Sequence, residues 1–473
     1  MSPRYDIDGL KARLGDIRTE TNPALVKQKS RDFYWYSPFL KRQLDLVTGD
    51  IVVTPADSAE VVETLAAAHA LGIPVTPRGS GTGNYGQAMP ISGGIVLNLA
   101  EMNRIEAIAP GRLRCGPGAV LAEIDRQTRA HPSAQELRMH PSTYNTASIG
   151  GFIAGGSSGV GSINWGGLRD LGNILAVTVA TMEASPRLVR ITGADLSKVA
   201  HAYGTNGIIT EVEMPLAAAY DWIDVIVGFE SFEAATRFGN ALGEQDGILT
   251  KLITPVAAPA PERYFLRHRK LIPSGRSIVL VMVAAHAMDA FKVFCDRFAG
   301  AEILFDASLA SEADKEGLPP NYELAWNHTT LRALRVDPAI TYLQVLYPFP
   351  DQLHLVREIH ARFGEEVTGH LEVSRYNGKI TCFGLPLVRY TTEERLDEII
   401  RIHEDMGAPI FNPHRYTLEE GGMKQTDAAQ LAFKREADPQ GLLNPGKMIA
   451  WEDPAFDYAS GRTYLFPSLA AAG

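Results

Sequence analysis

The chain has 473 residues, 45% hydrophobic and 21% charged, with a net charge of −10. That length exceeds one ordinary core, so two or three domains are expected. The acidic balance argues against a general nucleic-acid or anionic-membrane binder. No apolar run reaches the length of a membrane span, and the opening MSPRYDIDGL carries no apolar signal core. Cys115, Cys295 and Cys382 are widely separated and suggest neither a disulfide framework nor a zinc site. A cytoplasmic, reducing location is the expectation.

In chain order, the aromatic run from Phe33 to Tyr36 is short, is broken by Pro38, and reads as packing. Asp57 and Glu60 then form the two ends of a capping box opening a helix that Gly72 stops. IPVTP follows as a short buried strand. The next segment, PRGSGTGNYGQAMP (77–90), holds a literal G-x-G-x-x-G at Gly81, Gly83 and Gly86. A dinucleotide fingerprint needs its last glycine to open a long helix, whose N-terminus carries the pyrophosphate. Here Pro90 and Gly93-Gly94 break any helix, and IVLNL (95–99) is a strand. The loop therefore lies between two strands, and its glycines would let consecutive backbone N–H groups form an anion nest. Arg78, Ser80, Thr82 and Asn84 can add donors.

A second glycine cluster spans 140–167, followed by Arg169 and Asp170 before a long apolar strand. Ile149, Phe152, Ile153 and Trp165 interrupt it too regularly for a low-complexity linker. A third element, AYGTNGIITEVEMPL (202–216), places Thr205, Asn206 and Gly207 before another strand.

Together, PRGSGTG, GPGAVLAEI, PSTYNTASIGG, RD, YGTNGIIT and the later DPQGLLNPGKM (438–448) resemble the vanillyl-alcohol oxidase / p-cresol methylhydroxylase (PCMH-type) FAD-binding flavoproteins. The resemblance covers about 45–216 and 420–450. In its glycine loop the chain is most similar to the D-lactate dehydrogenase and glycolate oxidase subunit branch. The resemblance implies an α+β fold: a two-part FAD-binding domain (1–219 with 420–473) and an inserted cap or substrate domain (220–419). It implies that FAD is held by Pro77, Arg78, Gly79, Ser80, Gly81, Thr82, Gly83, Asn84 and Tyr85. Pro141, Ser142, Thr146, Ala147, Ser148, Gly150, Gly151 and Gly155 would form the second wall. Arg169, Asp170, Gly207, Ile208, Ile209, Asn444 and Lys447 complete the implied set.

Many such proteins bond FAD covalently through a His in the first loop, where this chain has Gly81-Thr82. Others use a Cys in the second cluster, which has none here. His140 reads as structural, so the FAD is expected to be non-covalent. Metal-dependent members carry G-H-x-G-D-G-N-x-H and G-E-H-G. In GHLEVSRYNG (369–378) His370 remains but Asn377 stands where the second His would be. In LEEGG (418–422) Glu419 is kept and Glu420 replaces His. The expectation is no metal.

Residues 217–419 read as repeated strand–helix units, suggesting antiparallel sheet with helices on one face. Three stretches break that pattern and are candidate pocket walls: 321–338, 369–377 and 412–422. Oxidising a C–H next to a hydroxyl needs an acceptor for the heteroatom proton. His370, Tyr376, Glu419 and His414 are the candidates for base or orienting roles. Trp326, His328, Arg375, Tyr416 and Glu420 are candidates for the substrate. His360 and His403, on helices with charged neighbours, are set aside.

The expected function is oxidation of a CH–OH group of a hydroxy acid or alcohol by hydride transfer to FAD. The partners would be a small-molecule substrate and either oxygen or an electron carrier; a homodimer is compatible. The competing readings are a phenolic or other aromatic alcohol as substrate, an NAD-linked Rossmann dehydrogenase, and a non-catalytic flavin-binding protein.

Overall fold

Three apolar residues and a threonine, Ile51 to Thr54, form a strand buried at every position, as expected where both faces are covered. In the computed structural model, which describes residues 4–457 and 461–468, this strand is β2. It belongs to a sheet with β1 (Arg18–Glu20), β3 (Val75–Arg78) and β4 (Ile95–Asn98), in the order β1-β2-β4-β3. β2, β4 and β3 run parallel. Asp57 caps the helix Ser58–Ala70, accepting from Ala59 N and Glu60 N. Glu60 reaches past the cap to the N–H of Ala56 at 2.7 Å, one residue earlier than a capping box requires. No helix follows the glycine loop before β4.

The second sheet is antiparallel: β5 (Ile105–Ala109), β6 (Arg112–Cys115), β10 (Ile208–Ala218), β8 (Ala176–Ala180) and β9 (Leu188–Thr192), with β7 (Gln135–Leu137) on the end of β10. The glycine cluster before it contains a helix, Ile149–Gly155, that the sequence reading missed. The signal was present: Ile149, Phe152 and Ile153 stand at i, i+3 and i+4 and are all buried.

The inserted region opens with an antiparallel sheet of β12 (Thr250–Val256), β13 (Ser277–Ala284), β11 (Trp222–Phe229) and β14 (Glu302–Asp306). The helices Phe232–Gly243 and Met288–Arg297 share its buried cluster through Phe238 and Phe291. Two expected single strands are each divided. ITYLQVLYP becomes β15 (Ile340–Tyr342) and β16 (Val345–Tyr347). KITCFGLPLV becomes β19 (Lys379–Gly384) and β20 (Leu387–Arg389). Pro386 lacks the N–H that a continuous ladder requires. The pieces enter different small sheets, β15-β20-β17 and β16-β19-β18, where β17 is Val367–Thr368 and β18 is Leu371–Tyr376. The break leaves Leu385 between the two sheets, its N–H donating to His370 O at 2.9 Å.

The C-terminal stretch returns to the first sheet. Val75 N donates to Leu442 O at 2.8 Å, and Asn444 N donates to Val75 O at 2.9 Å. Lys434, fully buried, donates from Nζ to Asp438 Oδ2 at 2.6 Å and to Thr205 O at 2.7 Å. Asp438 also accepts from Leu442 N and Leu443 N at 2.9 and 2.8 Å. Among the described residues no helix is long and apolar enough to cross a membrane.

Removing one partner of a buried pair leaves an uncompensated charge, a loss of about 3–5 kcal/mol. Asp438→Ala is therefore expected to lower the denaturant midpoint strongly, measured by tryptophan fluorescence. An unchanged midpoint would show that this pair does not anchor the C-terminal return.

Candidate active site

The glycine loop folds as it does because side chains have no room. A Cβ on Gly79 would enter Ser148 Oγ, one on Gly81 the Arg78 guanidinium, and one on Gly83 the Gln87 amide. Gly81 also has φ +70°, a region costly for other residues. The loop faces the segment 141–158 across a cavity. The cavity continues past Tyr203, Gly207 and Ile209 and is closed by Trp326, Asn327, Gln344, Phe383, Leu385 and Phe411 of the inserted region.

The consecutive backbone N–H groups of Gly81, Thr82, Gly83 and Asn84 donate to no acceptor among the described residues. Such a run of donors without a protein partner on a cavity wall is available to a bound anion such as a pyrophosphate. Three side-chain atoms on other cavity residues are likewise buried without a partner: Tyr203 Oη, Trp326 Nε1 and Asn327 Oδ1.

All of 77–85 line this cavity, as do Pro141, Ser142, Ala147, Ser148, Gly150, Gly151, Gly155, Gly207 and Ile209. Arg78 is present, but its guanidinium is largely engaged. Nη1 donates to Lys29 O at 2.9 Å and to Arg31 O, and Nη2 donates to Ser80 O at 3.0 Å. Thr146, Arg169, Asp170, Ile208, Asn444 and Lys447 stand off the cavity. Thr146 bonds Thr143 O. Arg169 Nη1 donates to Tyr376 Oη at 2.5 Å and Leu465 O at 3.0 Å. Asp170 accepts from Gly167 N, and Ile208 is buried in β10. Asn444 and Lys447 act from beneath the loop: Asn444 Nδ2 donates to Gln87 O and Tyr203 O, and Lys447 Nζ to Gly86 O at 2.6 Å.

None of the four expected catalytic side chains reaches the cavity. His414 spends both ring nitrogens, Nδ1 on Ser37 Oγ at 2.7 Å and Nε2 on Tyr342 O at 2.9 Å, and burial holds it down to about 4. Glu419 accepts from Thr426 Oγ1, Ile449 N and Ala450 N, tying down the start of a short helix. Tyr376 is held by Arg169, whose guanidinium lies 4.6 Å from its ring centre. His370 is fully buried. Its Nδ1 faces Leu385 O and its Nε2 faces Glu372 Oε1, both at 3.0 Å. Both ring nitrogens are therefore engaged within the protein. Among the described residues no group of three or more His, Cys, Asp or Glu is disposed to hold one. His360 and His403, set aside as helix-surface residues, are in fact partly and fully buried.

Of the substrate candidates, only Trp326 lines the cavity. Arg375 Nε donates to Ile163 O, Glu420 accepts from Thr417, and Tyr416 lies under Lys447, 4.8 Å from its ring centre. His328 is the second residue of the helix Asn327–Val336, and burial holds it down to about 4. Trp326 has φ 51° and ψ −140°, a strained backbone for a bulky residue. Its N–H donates to Glu372 Oε1 at 2.6 Å, and Thr254 Oγ1 holds the other oxygen at 2.6 Å. The His370–Glu372 pair thus supports the cavity wall from behind.

Sequence reasoning missed Asp32, Phe33, Tyr36 and Gln344, all lining residues. Asp32 accepts from Tyr34 N and Ala88 N at 2.9 and 3.2 Å, and burial raises its carboxyl above the usual carboxylate range. Tyr85, bonded by the Gln344 amide, is pushed up to about 12 by burial. The aromatic run at 33–36 packs, as expected of it, but Phe33 and Tyr36 also face the cavity. Nothing in their spacing marked that.

Residues 49–190 match the FAD binding domain family. The chain is an FAD-binding protein. The D-lactate dehydrogenase of Archaeoglobus fulgidus is 30% identical over 176 residues, 35% of this chain and 38% of that protein. The glycolate oxidase subunit GlcD of Escherichia coli is 29% identical over 202 residues, 41% of this chain and 39% of that protein. The chain thus spans about two fifths of these two relatives. The GlcD of Bacillus subtilis is 28% identical over 440 residues, 85% of this chain and 89% of that protein. Among solved structures, an alkyldihydroxyacetonephosphate synthase superposes with a TM-score of 0.70 at 16% identity, covering 94% of this chain and 86% of that one. That likeness is one of fold.

Gly81→Ala places a methyl against the Arg78 guanidinium in a backbone region that disfavours it. The expected result is FAD affinity at least about ten-fold weaker, roughly 1.4 kcal/mol, with circular dichroism unchanged. Full flavin occupancy in the variant would remove this loop from the cofactor site.

Proposed function

We propose that the chain is an FAD-dependent oxidoreductase acting on the CH–OH group of a small hydroxy acid or alcohol, with FAD held non-covalently. The division into cofactor segments 1–219 and 420–473 and a cap at 220–419 belongs to this reading. The observation that carries it is the single cavity: free loop N–H groups on one wall, unpaired Tyr203, Trp326 and Asn327 atoms on others. When bound, FAD supplies the hydride acceptor. The chain's own task is to orient the C–H bond, exclude water and take the hydroxyl proton.

Asp32 is the one carboxylate among the described lining residues, and no histidine lines the cavity. Burial raises its carboxyl above the usual carboxylate range, partly offset by Lys447, and a raised carboxylate is a better proton acceptor near neutral pH. Tyr203 is raised well above its ordinary value by burial, so its hydroxyl stays protonated and serves as a hydrogen-bond donor. We therefore assign the proton-accepting role to Asp32 at Oδ, in place of His370, Tyr376, Glu419 and His414.

Arg78 is the one arginine among the lining residues, and its donors are engaged. Phe33, Tyr36, Phe152, Trp326, Phe383 and Phe411 make much of the surface aromatic. This favours a second reading, an aromatic or phenolic alcohol. Oxygen or an electron carrier would reoxidise the cofactor.

Anaerobic mixing with 2-hydroxy acids, polyols and phenolic alcohols tests the reading by bleaching of the yellow protein. Asp32→Asn should keep its flavin and bleach about 10²–10⁴-fold more slowly. Bleaching at the wild-type rate would remove Asp32 from the chemistry, and no bleaching by any alcohol would sink the activity. A separate acid precipitation should leave a colourless pellet and a yellow supernatant, because Thr82 offers no attachment chemistry; a yellow pellet would mean a covalent bond.

A further inference from the structure

The helix Asn327–Val336 starts at the wall of the FAD cavity and runs away from it. His328, Arg332 and Arg335 stand at i, i+4 and i+7, so they share one helix face. At its far end lies a second, open cavity. Arg267, Arg332, Arg335 and Glu323 line it together with the turn from Gly317 to Pro319.

The charges there do not balance. Three guanidiniums meet one carboxylate. Glu323 Oε2 lies 3.1 Å from Arg332 Nη2, and Glu323 Oε1 also accepts from Asn145 Nδ2 at 3.2 Å. Arg267 Nη1 donates to Gly317 O at 2.7 Å. Arg335 has no hydrogen bond or ion pair with any described residue. Arg332 and Arg335 are like charges three residues apart on a helix, an arrangement that costs stability unless something offsets it. The neighbouring imidazoles register the crowding. His268, 2% exposed and with its Nδ1 unpaired, is held down to about 4 by burial and then by Arg332. His328, also with an unpaired buried Nδ1, is lowered by burial and then by Arg332 and Arg335. General basicity does not account for this, because the whole chain carries a net charge of −10.

We propose that this second cavity is a binding site for a small dianion, a phosphate group or a dicarboxylate, held by Arg335, Arg332 and Arg267. Guanidinium groups suit either ligand, since their planar donors pair with two oxygens at once. The two excess positive charges match a dianion and leave a monocarboxylate undercompensated. The site lies outside the FAD cavity and does not depend on the reaction proposed for it.

Isothermal titration of the FAD-loaded protein decides the matter without turnover. The probes are inorganic phosphate, succinate and acetate, in chloride at about 0.15 M so that loosely attracted ions are screened. The expected result is saturable binding of one equivalent of phosphate or succinate, at least about ten-fold tighter than acetate. The tighter of the two dianions identifies the source as phosphoryl or dicarboxylate. Arg335→Gln, a change at an exposed side chain, should weaken that binding at least about ten-fold, with flavin content unchanged and the melting temperature of the anion-free protein not lowered. Arg335→Lys should retain part of it. Failure of both dianions to saturate, acetate binding as tightly as they do, or wild-type affinity in Arg335→Gln would each overturn the site.

Discussion

The cavity depends on one half-buried guanidinium. Arg78 ends β3, and its Nη1 draws in the carbonyls of Lys29 and Arg31 while Nη2 holds Ser80 O in its own loop. Phe33 N adds a bond to Gly83 O at 2.6 Å. Hydrogen bonds from a charged donor to buried carbonyls are among the stronger ones available to a protein. Their effect here is topological: a segment fifty residues earlier is fastened along the glycine loop, which brings Asp32, Phe33 and Tyr36 to the cavity. The arginine expected to serve the cofactor directly serves it by building the wall opposite.

The far wall is built on a buried charge. Glu372 accepts the Trp326 N–H, the Thr254 hydroxyl and the His370 ring, with both residues of the pair essentially unexposed. A strained backbone persists only where its surroundings over-determine it, and these contacts do so for Trp326. His370 is thus absorbed into an internal pair, and Asn377 accepts from Arg169 at 3.2 Å on a hairpin.

Much of the cofactor half was legible because its signals are local. Three alternating glycines with no helix after them, a capped helix before them and a strand on each side constrain the backbone within a few residues. The catalytic half was not legible for a matching reason. His370, His414, Glu419 and Tyr376 looked reactive as residue types in pattern-breaking stretches, yet each is satisfied by a partner distant in sequence, such as Ser37 for His414. Conversely Asp32 carries no motif, and its place follows from a clamp made by residue 78. The division of ITYLQVLYP and KITCFGLPLV shows the same limit, since Pro386 was visible but the two sheets it separates were not.

The sequence by itself determined a glycine-rich loop between two strands, with no Rossmann helix after it and no histidine in it; these follow from sterics and hydrogen-bonding capacity within short windows. The α+β class came from the order of its motifs, through their resemblance to a known family. Only the tertiary structure decided which polar groups remain free. A side chain's chemistry is available to a ligand when its donors and acceptors are not already taken, and that depends on contacts across hundreds of residues. This is why Gly81 to Asn84 and Arg335 stand out as groups without a protein partner, and why four plausible catalysts do not.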